Sequence, residues 1–185
     1  KPTYPLEKGI FFVSEDRKGV GLLLDESIER NIAFPAMQIK KQFFKKFLGI
    51  FNVIDDKAVT ENAKKYIEKL EIKSMGEKQK VGELSGGNQQ KVCVAKAFTM
   101  EPDLLFVSEP TRGIDVGAKQ LVLETLKDID IITFLSSSTV EAFYESLDGD
   151  FFILGDKKIA SIGPMTSETI RRLGMKVDYE AEKYT

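Results

Sequence analysis

Short apolar runs recur along the chain at Gly9-Ile10-Phe11-Phe12-Val13, Leu104-Leu105-Phe106-Val107, Ile131-Ile132-Thr133-Phe134-Leu135 and Phe151-Phe152-Ile153-Leu154, with helical patterns beside them. Strands covered on both faces read as continuous apolar runs, and helices between them supply the crossovers of a parallel sheet, so the alternation predicts an α/β fold. Lys158 to Ile162, after the Gly155-Asp156 turn, predicts an added hairpin strand, Ser167 to Leu173 a final short helix, and Lys176 onward a solvated tail. Between about Asp25 and Leu70 the period changes. Phe43, Phe44, Phe47, Leu48 and Phe51 recur at helical spacing, and Val59, Ala63, Tyr66, Ile67 and Leu70 repeat it behind an Asp55-Asp56 start. The pattern predicts at least two amphipathic helices. The first, with Lys40, Lys41, Lys45 and Lys46, has a moment suited to a membrane surface or a partner groove; the simpler expectation is a helix packed on its neighbour with solvated lysines.

Composition excludes several classes. The chain has 185 residues, 27 basic and 29 acidic, for a net charge of −2, which offers no electrostatic footprint for nucleic acid. At 42% hydrophobic and 30% charged residues it is apolar enough to bury a core, and no run approaches the roughly 18 apolar residues of a membrane span, so a soluble protein is expected. The single Cys93 sits in an apolar stretch and reads as a small buried hydrophobe. Histidine is absent, so no His-based general base, relay or zinc site can be built from this chain, and no metal ligands are assigned.

The segment with the most chemistry is Leu84-Ser85-Gly86-Gly87-Asn88-Gln89-Gln90, which opens a helix running through Val92, Ala95 and Phe98. Two glycines leave the first amides of the helix unobstructed, Ser85 adds a hydroxyl, and the dipole favours negative charge at that end. Such an end can hold a phosphate, although for Ser-Gly-Gly alone an ordinary turn capped by Ser85 is the better reading.

Leu84 to Gln90 resembles the signature motif of ATP-binding-cassette (ABC) ATPases, and Leu104 to Pro110 resembles their Walker B strand with its trailing Glu-Pro. Thr111 to Lys119 looks like the D-loop segment of the second cassette of sugar importers of the ribose, galactose and xylose type; Glu15-Asp16-Arg17-Lys18 with Gly21-Leu22 looks like that cassette's Q-loop. The resemblance implies a P-loop NTPase (RecA-like) core with an inserted helical subdomain, used in pairs so that one cassette supplies the phosphate loop and the other the signature. It implies these boundaries: 1–21, core strand and Q-loop-like segment; 22–80, helical subdomain; 81–165, core with signature, Walker B and D-loop; 166–185, terminal helix and tail.

The departures shape the functional expectation. No Gly-x-x-x-x-Gly-Lys-Ser/Thr occurs, so the Walker A strand and P-loop are absent from this chain, which is expected to be the C-terminal part of a second cassette. Ser108 stands where Walker B carries an Asp for Mg²⁺, Glu109 at the position of the water-polarising carboxylate, and Glu15 at the Q-loop glutamine. Ser136-Ser137-Ser138 fall where the switch histidine is expected, and Asp115 is the D-loop acid.

The expectation is a cassette half degenerate for hydrolysis that caps its partner's ATP in trans through Ser85, Gly86, Gly87 and Gln89. The intact assembly would use ATP and Mg²⁺ to drive solute import, and the chain alone would bind neither and be inactive. The implied partners are the other cassette, transmembrane permease subunits facing the helical subdomain through protein rather than lipid contact, and indirectly a solute-binding protein. The implied place is cytoplasmic, peripheral on the inner face of the membrane. Two alternatives are a non-hydrolytic regulatory or dimerisation module derived from a cassette and, ranked last for want of heptads and a basic face, a chromosome-maintenance ATPase head.

Overall fold

The computed structural model describes residues 3–13, 19, 21–48, 50–107 and 129–183. The chain divides into two compact units, Lys1–Asp115 and Val116–Thr185, and the expected 81–165 span crosses that division.

In the first unit a short helix α1 (Tyr4–Glu7) leads into strand β1 (Ile10–Val13), which pairs in parallel with β4 (Leu104–Val107), Ile10 opposite Leu104. Gly9, at φ +71°, makes this entry possible: a Cβ there would collide with the Asp103 carboxylate. Phe11 and Val13 are buried and Phe12 exposed, the alternation of a strand covered on one side. Helix α2 (Ile28–Ile39) starts at Ser27, whose Oγ accepts from the Arg30 amide at 3.3 Å, and buries Ile28, Ile32, Ala33 and Ala36. The fully buried Asn31 ties α2 to the segment before it: its Oδ1 accepts from the Leu23 amide at 2.8 Å, and its Nδ2 donates to the carbonyls of Leu23 and Ser27 at 2.9 and 3.0 Å. Helix α3 (Asp56–Lys69) is capped by Asp55 and packs Val59, Ala63 and Tyr66 inward. Helix α4 (Gly86–Thr99), with ten buried residues, packs against α2 and β1 and lies at the centre of this unit.

One sequence expectation fails here. Residues 43–51 do not form a helix: β2 (Phe44–Phe47) and β3 (Phe51–Ile54) pair as an antiparallel hairpin with Phe47 opposite Phe51. The 43, 44, 47, 48, 51 spacing also fits two strands meeting at a turn. Phe, Val and Ile favour strands, and Gly49 in the sequence weakens a helix at its middle.

The second unit is a β-α-β-α-β arrangement: β5 (Ile131–Phe134), α5 (Ser137–Ser146), β6 (Lys158–Ser161), α6 (Pro164–Arg172) and β7 (Tyr179–Glu180), all strands parallel in the order β5-β6-β7. Its own core is Phe134, Val140, Leu147, Leu154, Ile159, Ile170 and Met175. Two further expectations are corrected. Phe151–Leu154 is a 3-10 turn, because Asp150 Oδ1 takes the Phe152 amide at 3.2 Å and the place beside β5 is filled by β6. Lys158–Ser161 is a central parallel strand rather than a hairpin partner, since the chain crosses through α5 before reaching it. The terminal helix is found at Pro164–Arg172, and the expected solvated tail adds Tyr179 and Glu180 as an edge strand. Among the described residues no helix is long and apolar enough to cross a membrane.

Candidate functional site

The chemistry read from the sequence converges on the start of α4. A 3-10 turn, Val81–Glu83, delivers the chain to Ser85 in extended conformation (φ −61°, ψ 156°), and the helix begins at Gly86. The turn is fixed against the segment before α2: the Gly82 amide donates to the Leu24 carbonyl at 2.8 Å, and a Cβ on Gly82 would press on that carbonyl at 2.9 Å. Glycine is therefore required there for close backbone approach.

Ser85 makes no side-chain bond to the helix amides. Its Oγ instead accepts from Asn88 Nδ2 at 2.9 Å, while Asn88 Oδ1 accepts from the Lys73 amide at 2.9 Å. The hydroxyl is thus held by a side chain and does not cap the helix. A helix N-terminus is in general the end that favours an anion.

Gln89 is placed differently from its expected role in phosphate contact. It is 4% exposed, and its Nε2 donates to the carbonyls of Val81 and Leu84, both at 3.2 Å. This amide fastens the 3-10 turn to the helix and so positions Ser85. Glu15, Ser108, Glu109 and Asp115 lie outside the described residues.

Two lysines that sequence reasoning passed over fix α4 in place. Lys91 Nζ donates to the Glu71 carbonyl at 3.0 Å, and burial pulls its pKa below the usual lysine range against the opposing Glu71 carboxylate. Lys96 Nζ donates to the Gly21 carbonyl at 2.9 Å, and burial lowers its pKa as well. They staple the signature helix to the loop after α3 and to the end of the Q-loop-like segment. The available signal was lysine inside a run of small apolar residues, Val92 to Ala97.

In the second unit the starts of α5 and α6 meet at the C-terminal edge of β5 and β6. Ser136 Oγ accepts from the Thr139 amide at 3.2 Å and caps α5; Ser137 Oγ donates to the Met165 carbonyl at 3.3 Å. A buried Ser161–Ser167 hydroxyl pair at 2.5 Å joins β6 to α6.

A glycine-rich helix start and parallel strand pairing within one unit define an α/β protein of the kind that the sequence predicts. The family is shown directly: the ABC transporter model matches residues 7–112, more than half of the chain, which belongs to that family. Residues 112–185 match a second family, Uroporphyrinogen-III synthase HemD. The ribose import ATP-binding protein RbsA of Lactococcus lactis subsp. cremoris is 44% identical over 128 residues, 69% of this chain and 24% of that protein. The xylose import ATP-binding protein XylG of Thermoanaerobacter pseudethanolicus is 39% identical over 140 residues, 74% of this chain and 26% of that protein. The chain thus spans about a quarter of the length of the curated relatives it matches. Solved structures of MJ0796, a bacterial ABC transporter cassette, agree in fold. The dimeric form has a TM-score of 0.50 at 17% identity, covering 98% of this chain and 64% of that one. The post-hydrolysis form with ADP and Pi has a TM-score of 0.51 at 16% identity, covering 96% and 62%. The α/β class and the ABC-cassette fold expected from the sequence are therefore found.

Ser136 to Ser138, expected at the switch position, lie outside residues 7–112 and inside 112–185, where Ser136 works as a helix cap.

Proposed function

We propose that residues up to about Lys119 are a portion of the ATP-binding subunit of an importer for sugars or related small solutes, whose signature end closes over ATP bound by another cassette. The observation that carries this is the Ser85 geometry: the hydroxyl is held by Asn88, and the helix amides are not used by a serine cap. Ser85, Gly86 and Gly87 contact the γ-phosphate, and Gln89 acts through the Val81 and Leu84 carbonyls to position them. Residues 1–21 and 22–80 are the Q-loop-bearing strand segment and the helical subdomain, which here includes the hairpin. Glu109 polarises water weakly, with Ser108 and Glu15 as poor Mg²⁺ neighbours and Asp115 facing the second cassette. The names of the sugar-import relatives support the solute class. Permease subunits and a solute-binding protein complete the assembly, and the place is the cytoplasmic face of the cell membrane.

The chain alone carries no P-loop sequence, so it neither binds nor hydrolyses Mg-ATP. The test is Ser85→Arg in the intact importer reconstituted in vesicles. Loss of transport-coupled ATPase by about 100-fold or more, with folding intact, is expected, because the transition-state charge loses its donors. Near-normal activity removes the proposal, and saturable Mg-ATP binding to the present chain in calorimetry removes its second half.

A second reading applies to the C-terminal unit alone and rests on the match at 112–185. We propose that this unit is a portion of a uroporphyrinogen-III synthase-like domain and takes no part in ATP chemistry. Ligands of parallel sheets bind outside the carboxyl ends of the strands, where Ser136, Ser137 and Gly163 lie. Titration of the chain with the oxidised tetrapyrrole uroporphyrin, followed by its absorbance, gives a shift abolished by Ser137→Asp; no shift removes this reading.

A further inference from the structure

The hairpin β2–β3 is the most exposed apolar feature of the described chain. Phe47, Leu48, Ile50 and Phe51 at its tip are 56%, 76%, 77% and 61% exposed, and Phe44 and Ile54 behind them are open as well. The register sets Phe47 and Phe51 on one face and Phe44 and Ile54 on the other, so apolar side chains leave from both faces and from the turn. Leu48 occupies the left-handed region at φ +51°, a place suited to glycine or asparagine and strained for a leucine that packs on nothing.

The charge around this tip is one-signed. Residues 40–54 contain Lys40, Lys41, Lys45 and Lys46 and no acidic side chain, in a chain whose net charge is −2. Lys45 pairs with Asp55 at 3.3 Å and Lys40 approaches Glu101 at 3.9 Å, whereas Lys41 and Lys46 form no ion pair among the described residues. The strand rise of about 3.4 Å per residue sets Lys46 and Lys45 one and two residues behind the apolar tip, at headgroup depth when the tip is buried.

We propose that this hairpin inserts tip-first into an anionic lipid surface, with Phe47, Leu48, Ile50 and Phe51 entering the acyl boundary and Lys41, Lys45 and Lys46 meeting lipid phosphates. A protein groove would be filled by one face of a hairpin. Apolar exposure on both faces, with lysines behind the tip of which Lys41 and Lys46 form no ion pair among the described residues, fits a medium that surrounds the tip and carries negative charge at its rim. The sequence expectation of protein rather than lipid contact rested on the family resemblance and on a helix at this place, and residues 44–54 form a hairpin instead.

Co-sedimentation of the full chain with vesicles tests this. Binding to vesicles of equal parts phosphatidylcholine and phosphatidylglycerol is expected to exceed binding to pure phosphatidylcholine by about tenfold or more at low salt, since each lysine near such a surface contributes about fivefold. The double variant Leu48→Asp/Ile50→Asp loses about tenfold or more; Lys41→Glu/Lys46→Glu loses as much and flattens the salt dependence. All four positions are exposed or at the turn, and unchanged circular dichroism checks that the fold is kept. The chain has no tryptophan, so Leu48→Trp supplies a single reporter whose emission shifts to the blue on anionic vesicles. Absence of vesicle binding, equal binding to both vesicle types, or wild-type binding by either double variant overturns the proposal. So does a chain that ignores vesicles but dissociates from dimer to monomer in Leu48→Asp/Ile50→Asp, which would make the hairpin a self-association surface. None of these readouts needs nucleotide, so failure here is distinct from failure of the importer reading.

Discussion

Ser136 and Ser85 each lead into a helix from extended backbone, one in each unit, and are used in opposite ways, with Ser27 before α2 behaving like Ser136. Ser136 turns its hydroxyl onto its own helix, accepting from the Thr139 amide and touching the Ser138 and Thr139 hydroxyls at 3.0 and 2.8 Å. Ser85 gives its oxygen to the Asn88 side chain and makes no bond to the helix amides. The first helix end is closed by its own side chain, as most helix starts are. The second is not capped by its serine and relies on Asn88 and Gln89 to hold its shape, which is why the Ser85 end rather than the Ser136 end is the one proposed above to meet a phosphate.

The most severe way to break this comparison is to remove the core behind each helix start. Ile32→Ala under α4 and Ile170→Ala in the second unit, both fully buried, should each cost about 2–5 kcal/mol in urea unfolding. A cost below about 1 kcal/mol at either site would mean that the helix start rests on something other than that core. Next is Gln89→Ala, which leaves the Val81 and Leu84 carbonyls without their buried donor and should cost about 1–3 kcal/mol by the same measurement. A cost near zero would return Gln89 to a role in ligand contact.

The comparison itself is sharpened by a matched pair. Ser136→Ala removes a true cap and should cost about 1 kcal/mol, whereas Ser85→Ala should cost no more than about 0.3 kcal/mol. The reverse order in thermal melts would sink it. The smallest effect is a pH dependence confined to the second unit. The Lys176 ammonium, followed by the Ile159 amide, holds the Asp178 carboxyl below the usual carboxylate range. Its stabilisation is present above the unfolded pKa of about 3.9 and drains as pH falls through the lower folded value. Asp178→Asn should therefore lower the melting temperature slightly at neutral pH, where that stabilisation is present, and flatten the acid limb of the profile.

Much of the candidate site was legible along the chain, because Ser85-Gly86-Gly87 encodes a helix start by local chemistry that needs no distant partner. The parallel strands at 10–13, 104–107 and 131–134 were legible because short apolar runs beside helical patterns favour strands of a parallel sheet. Residues 43–54 were not. Their phenylalanine spacing fits one helix face and the two arms of a hairpin equally, and cross-strand pairing of Phe47 with Phe51 decided between them. Phe151–Leu154 misled in the same manner, since apolar content does not distinguish a strand from a 3-10 turn when another strand already occupies the sheet position.

What the amino-acid order determined by itself is the set of local devices: which segments are apolar enough to be strands, which glycines allow close backbone approach, and where a helix begins. Those follow from short-range sterics and hydrogen bonding and require no knowledge of neighbours. Tertiary structure alone decided that the Ser85 hydroxyl goes to Asn88 rather than to its own helix, where the Gln89 amide goes, and that lysines 91 and 96 bond to carbonyls far away in sequence. A polar side chain chooses among partners by what folding brings within 3 Å or so, and burial makes that choice binding because an unpaired donor in the interior is costly.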